Sequence, residues 1–200
     1  MLYYSSRKIG LVQHRLSWRA CLPARGEAWR GEAILFVGIF GRDTSFFETV
    51  ARIMRRKFGH IHSRSELFDF THTDYYMEEM GENLKKMFFV FEKPIYPGQL
   101  ADIKRYTGKL EAKFSQKEEG LTRRRVNLDP GYLSLNKVVL ASTKDYSHRL
   151  YLGKGIYGEV TLFFKNKTFT PFPWTYPDYK TPGYVNFFNE MRKICYNRNK

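Results

Sequence analysis

The 200 residues carry a net charge of +14, with 42% hydrophobic and 27% charged positions. This describes one folded domain with at most a small appendage, long enough to bury a substantial core. No run of about 18 apolar residues occurs, which excludes a transmembrane helix and argues against a membrane partner. Cys21 and Cys195 are too few for a disulfide framework and lack metal-type spacing, so a reducing cytoplasmic setting is expected.

Residues 1–31 read as a basic leader, disordered or arising from a misassigned start, with the folded domain spanning 32–200. The leader carries Arg7, Lys8, Arg15, Arg19, Arg25 and Arg30 against Glu27 alone. It has no sustained apolar core of the kind a secretory signal needs, and it loosely resembles a transit peptide or a basic nucleic-acid-binding arm. Ile34 to Phe40 is a continuous apolar run ended by Gly41, as expected of a buried strand. Asp43, Thr44 and Ser45 offer N-caps for a helix in which Phe46, Phe47, Val50, Ile53, Met54 and Phe58 recur at helical spacing, and Gly59 stops it.

A second strand is expected within His60 to Phe70, then a polar connection from Thr71 to Gly81, then a third strand over Met87 to Phe91. Pro97-Gly98 opens a second helix with Leu100, Ile103, Leu110 and Phe114 on one face. Gln116 to Gly120 reads as a charged loop, and a fourth strand runs from about Arg124 to Leu135, interrupted or bent at Pro130-Gly131. Lys137 to Ser142, Arg149 to Leu152 and Ile156 to Lys165 are further strands. A proline- and aromatic-rich stretch and a helix over about Tyr184 to Tyr196 close the chain. The order β-α-β-β-α-β predicts an α+β domain with a ferredoxin-like core, additional antiparallel strands and a C-terminal helix.

Several strings imitate known chemistry. Gly153-Lys154-Gly155-Ile156-Tyr157-Gly158-Glu159-Val160 matches a phosphate-loop pattern, but Val160, Leu162 and Phe164 alternate, so a strand follows the glycines and the string reads as a turn. No G-x-x-x-x-G-K-[ST] string and no H-x-[ST] pair occurs. His60, His62 and His72, with Asp74, Glu78 and Glu79, are residue types that bind divalent metals, yet no spacing unites them, so metal and cofactor stay undetermined.

The polar faces of the later strands carry the candidate site. Arg125, Asn127 and Asp129 alternate against Val126 and Leu128; Tyr157, Glu159 and Thr161 alternate against Val160 and Leu162. Convergence of these strands would gather Arg125, Lys144 and Arg149 to hold a phosphate, with Asn127 and Thr161 beside them. Asp129 and Glu159 would serve metal or proton transfer, and His148 would act as acid-base group. Tyr76, Tyr176 and Asp178 would flank the ligand. The expected ligand is phosphorylated, a nucleotide or nucleic acid. The alternatives are a non-catalytic RNA- or ribosome-associated module and a protein-partner scaffold. In the enzyme reading, Glu159→Gln abolishes turnover and leaves the fold intact.

Several ordered strings also carry a family resemblance. They are Ser65, then Phe70-Thr71-x-Thr73-x-Tyr75-Tyr76 with Glu79-Met80-Gly81; Asn127-x-Asp129-Pro130-Gly131-Tyr132; Val139 to Lys144 with His148-Arg149; Glu159-x-Thr161-Leu162; and Thr175 to Tyr179. From about Glu32 to Tyr196 the chain resembles a mainly bacterial family, domain of unknown function 4416. The resemblance implies little about activity. Members sometimes carry an automatic GTP-binding label, and the P-loop through which such binding usually runs is absent here.

Overall fold

The computed structural model describes residues 33–71, 76–118 and 121–198, all within the compact unit Gly31–Lys200. The basic leader, His72 and Asp74 lie outside the described residues.

Strand β1 (Ala33–Gly41) is buried at every position, so its sequence is apolar without alternation. Its pleat still sorts side chains to two faces. Leu35, Val37 and Ile39 pack with Phe47, Val50, Ala51 and Met54 of α1 (Ser45–Phe58) and with Ile103 and Leu110 of α3 (Leu100–Phe114). Ile34 and Phe36 point the other way, onto Tyr184 and Phe188 of α4 (Pro182–Arg198). Helices therefore cover the sheet on both faces. α1 begins after an Asx turn in which Ser45 N donates to Asp43 Oδ1, and it ends at Gly59, whose φ of 94° suits glycine.

The other strands are β2 (Ile61–Arg64), β3 (Phe68–Asp69), β4 (Lys85–Ile95), β5 (Gln116–Glu118), β6 (Leu121–Arg123), β7 (Asn127–Leu133), β8 (Lys137–Ser142), β9 (Leu150–Gly153), β10 (Ile156–Lys165) and β11 (Thr168–Pro171). The main sheet is antiparallel in the order β11-β10-β8-β7-β1-β4-β2, with β3 also on β4 and β9 also on β10. The molecule is thus an α+β structure.

Three details differ from the sequence expectation. The segment from His60 to Phe70 forms two short strands, and the connection after it contains a helical turn, α2 (Met77–Met80). The expected charged loop after Gln116 contributes instead to a hairpin, β5 pairing with β6. The fourth strand is not interrupted at Pro130-Gly131: β7 runs through both, with Pro130 opposite Val37 and Gly131 opposite Phe36.

The reason Pro130 is tolerated is also what opens the site. β8 pairs with β7 only from Gly131 to Leu133. Before that point the two strands separate, and the Leu128 backbone, turned away from β1, has no strand partner. α3 supplies the partners: Leu128 N donates to Glu111 Oε1 at 2.7 Å, and Leu128 O accepts from Lys104 Nζ at 2.9 Å. Pro130, two residues on, turns its nitrogen to the same seam, so its missing N–H breaks no ladder bond. Gly131 closes the seam because a Cβ there would lie 2.4 Å from both Phe36 Cζ and Val139 O.

Candidate functional site

Where β7 and β8 separate lies a cavity of about 820 Å³, bounded by α3, the segment after β8 and the turn Pro177–Lys180. Seven basic and four acidic of the described residues line it, and Glu79 and Asp102, which pair with Arg124 and Lys154 from outside the lining, reduce the excess to one positive charge. Such a lining favours an anionic occupant. Three clusters of side chains make up its walls.

The first cluster belongs to α3 and the start of β7. Lys104 Nζ lies 3.3 Å from Asp129 Oδ1 and 3.9 Å from Glu111 Oε1. Burial pushes the Glu111 carboxyl above its ordinary range, and Asp129 adds to that, against the opposing pull of Lys104 and Arg124. Arg124 grips Glu79 with Nε and Nη2 and donates through Nη1 to Asn127 Oδ1 at 2.8 Å. The carboxylate raises the guanidinium's pKa still further above its ordinary value. Asn127 is 4% exposed, and its Nδ2 has no hydrogen-bond partner among the described residues.

The second cluster surrounds Lys86 of β4. Its ammonium is 2.6 Å from Asp178 Oδ2, and both side chains are buried. It lies 4.7 Å from the Tyr179 ring centre and 5.1 Å from that of Phe70, with Phe40, Phe88 and Tyr184 completing the enclosure. Ring quadrupoles attract a desolvated cation, which helps to hold this charge in the interior. Burial, with Asp178 nearby, drives the phenols of Tyr179 and Tyr184 upward, so both stay protonated at neutral pH.

The third cluster ties the segment after β8 to β10. Arg149 donates from Nε to Glu159 Oε2 at 2.9 Å, from Nη1 to Ser142 Oγ at 2.7 Å and to Lys144 O at 3.0 Å, and from Nη2 to the Tyr176 hydroxyl. Nη2 also lies 2.8 Å from Glu159 Oε2. These contacts occupy all five guanidinium donors. Glu159 further holds His148 Nε2 at 3.2 Å and accepts from Thr161 Oγ1 at 3.2 Å. The His148 ring stacks on Trp174, 5.5 Å between centres.

The residues expected from sequence are thus only partly gathered. Asn127, Asp129, Lys144, Arg149, Glu159, Tyr76, Tyr176 and Asp178 all line the cavity. Arg125 does not: it precedes β7, pairs with Asp43 at 3.1 Å and stacks over Phe46, so its charge is spent on the loop before α1. Arg149 lines the cavity with its donors already committed, which removes it as a phosphate contact. His148 and Thr161 touch Glu159 but do not form the cavity wall. Glu159 itself is 1% exposed and braces the third cluster, so Glu159→Gln bears on the fold before any chemistry.

Sequence reasoning missed Lys104, Glu111, Arg124 and Lys86. The signal for the first two was a polar stripe on α3, Lys104, Thr107, Gly108 and Glu111, at i, i+3, i+4 and i+7 beside the apolar face. Gly108 lies on the cavity wall, and a Cβ there would meet no other atom within 4 Å. Among the described residues no group of three or more His, Cys, Asp or Glu is arranged to hold a metal ion. His60, one of the candidate ligands, faces Glu92 at an exposed position. No helix among the described residues is long and apolar enough to cross a membrane.

No curated protein and no solved structure matches the chain. A family model does, across residues 31–195, a span that takes in the whole sheet, the split seam and all three clusters. The chain belongs to the family described as Domain of unknown function (DUF4416).

Proposed function

We propose that the protein binds a small phosphorylated ligand, a nucleotide, in the cavity between β7 and β8. The observation that carries this reading is the excess of positive charge lining a space of about 820 Å³. That volume is in the range of small-molecule sites, about 300–1,000 Å³. Arg105 and Lys144 on the wall are the phosphate contacts, and the rings of Tyr76 and Tyr176 supply apolar surface for a base. Arg149, His148 and Glu159 fix the segment that carries Lys144. Glu111 is the proton carrier if the ligand is turned over, because its carboxyl is shifted toward neutrality inside the cavity.

In the same reading the core is ferredoxin-like. The strand order β7-β1-β4-β2, with α1 and α3 as the crossovers on one face, supports it.

The RNA-binding reading draws on Arg52, Arg55, Arg56 and Lys57, exposed along α1 and remote in sequence from the cavity. Titration of the full chain with GTP, ATP, inorganic tripolyphosphate and a single-stranded RNA separates the two. Cavity binding gives saturable nucleotide binding at one site, weakened about tenfold by Arg105→Gln. RNA binding alone, steeply salt-dependent and indifferent to Arg105→Gln, would overturn it.

A further inference from the structure

α1 and α3 cover one face of the sheet, and their outer surface is strongly basic. Phe46 meets Phe114 edge-on, and Phe58 meets Tyr106 in the same way, so the two helices run antiparallel side by side. Lys57 Nζ crosses to the Tyr106 ring at 5.4 Å. These contacts set the middle of α1, at Arg52, level with Lys109 of α3. Arg52, Arg55, Arg56 and Lys57 are exposed on α1, and Lys109 and Lys113 are exposed on α3. Arg52 and Arg56 are four residues apart, as are Lys109 and Lys113, so each pair follows one helix face with a rise of about 6 Å.

Little on this surface answers the charge. The exposed acids of the two helices are Glu48 and Asp102, and each already pairs with a cation from another element, Arg64 of β2 and Lys154 after β9. Arg52 and Arg55 act on Glu48 only at longer range, and none of the six cations forms a salt bridge among the described residues. The opposite face differs. On α4, Arg192 donates to the Leu135 carbonyl and lies over Phe164, and Lys193 pairs with Glu190. Like charges crowded on two packed helices repel, so a surface of this kind without counter-charges points to a polyanion lying along it.

The make-up of the face selects among polyanions. No large hydrophobic residue of α1 or α3 is exposed. Single-stranded RNA is held by stacking its bases on aromatic rings, and a helix that inserts at a membrane surface needs apolar anchors. Neither is offered here, so the contact is to phosphates alone, which a duplex presents with its bases hidden. Packed helix axes lie about 8–10 Å apart. The deep, narrow major groove of A-form RNA brings phosphates of both strands close together, so both rows of cations meet phosphate at once. The major groove of B-DNA, about 12 Å wide, holds the strands further apart.

We propose that the outer face of α1 and α3 binds double-stranded RNA through its phosphate backbone, without regard to sequence. None of the six cations lines the cavity, so this inference does not rest on the nucleotide reading.

Fluorescence anisotropy of a short labelled RNA duplex with the full chain, at two salt concentrations, tests it. Single-stranded RNA, a DNA duplex of the same length and vesicles of phosphatidylcholine with phosphatidylserine are the comparisons. The variant Arg52→Gln, Arg56→Gln, Lys109→Gln and Lys113→Gln should weaken duplex RNA at least about tenfold and flatten its dependence on salt. A control, Lys137→Gln, Lys165→Gln, Lys167→Gln and Lys193→Gln, removes as much charge from exposed positions elsewhere and should weaken it less than about threefold. Lys109→Gln with Lys113→Gln serves if the quadruple variant does not fold. Equal losses in variant and control reduce the effect to net charge and overturn the inference. It is also overturned if single-stranded RNA or the DNA duplex binds as tightly as the RNA duplex, or if the RNA duplex does not bind, whether or not the vesicles do.

Discussion

Removing the Glu159 carboxylate should destabilise the protein severely, because it strands a buried cation. Arg149 and Glu159 side chains are each 1% exposed, and the pair is joined by contacts of 2.9 and 2.8 Å. Breaking a buried pair from one side costs about 3–5 kcal/mol, against a typical total stability of about 5–15 kcal/mol. Glu159→Ala should therefore lower the thermal midpoint by roughly 10 °C and the urea midpoint by about 2 M. Glu159→Gln retains volume and one acceptor, and should cost about 2 kcal/mol. The double variant Glu159→Leu with Arg149→Met removes both charges and should recover most of the loss, which a double-mutant cycle in urea at neutral pH measures. A loss below about 1 kcal/mol in Glu159→Ala, or strict additivity in the cycle, would refute the clamp.

Other consequences follow from the same packing. Gly131→Ala drives a methyl into Phe36 and into the Val139 carbonyl, both 2.4 Å from the built Cβ; it should cost about 3 kcal/mol or more, seen as a collapsed soluble yield or urea midpoint. Glu111 has its folded-state pKa raised by burial, so the folded chain binds more protons than the unfolded one above the unfolded carboxyl's pKa of about 4.3. Stability from this group is therefore lost as pH rises through that window. Glu111→Gln keeps an acceptor for Leu128 N and removes the titration, so its urea midpoint should gain on the wild type as pH rises above about 4.3; parallel profiles would contradict the assignment. Lys86→Met leaves Asp178 buried without its cation and should cost about 3–5 kcal/mol by thermal unfolding, whereas adding Asp178→Leu to it should recover much of that.

What could be read from the chain depended on how local the determining physics was. β1 was legible because burial on both faces leaves an unbroken apolar run, and α1 because Phe47, Val50, Ala51 and Met54 repeat at helical spacing. β8 and β10 occupy the expected spans as well: Val138 to Ala141 form a continuous buried apolar run like that of β1, and half of β10 is buried too. The site was half legible. Asn127 and Asp129 share a face as their spacing implies, but Arg125 has the same parity and leaves, because β7 starts two residues later. Parity holds only inside a strand. The separation of β7 from β8, and the capture of the Leu128 backbone by Lys104 and Glu111, are contacts between residues 17 and 24 positions apart in sequence. A charged helix face looks the same in sequence whether it meets water or a parted sheet.

The most direct test of the account is a crystal structure of the full chain grown with GTP. The account predicts ligand density inside the space between β7 and β8, with phosphate oxygens within hydrogen-bond distance of Arg105 or Lys144. Density confined to the exposed basic face of α1, with the cavity holding only water, would contradict it.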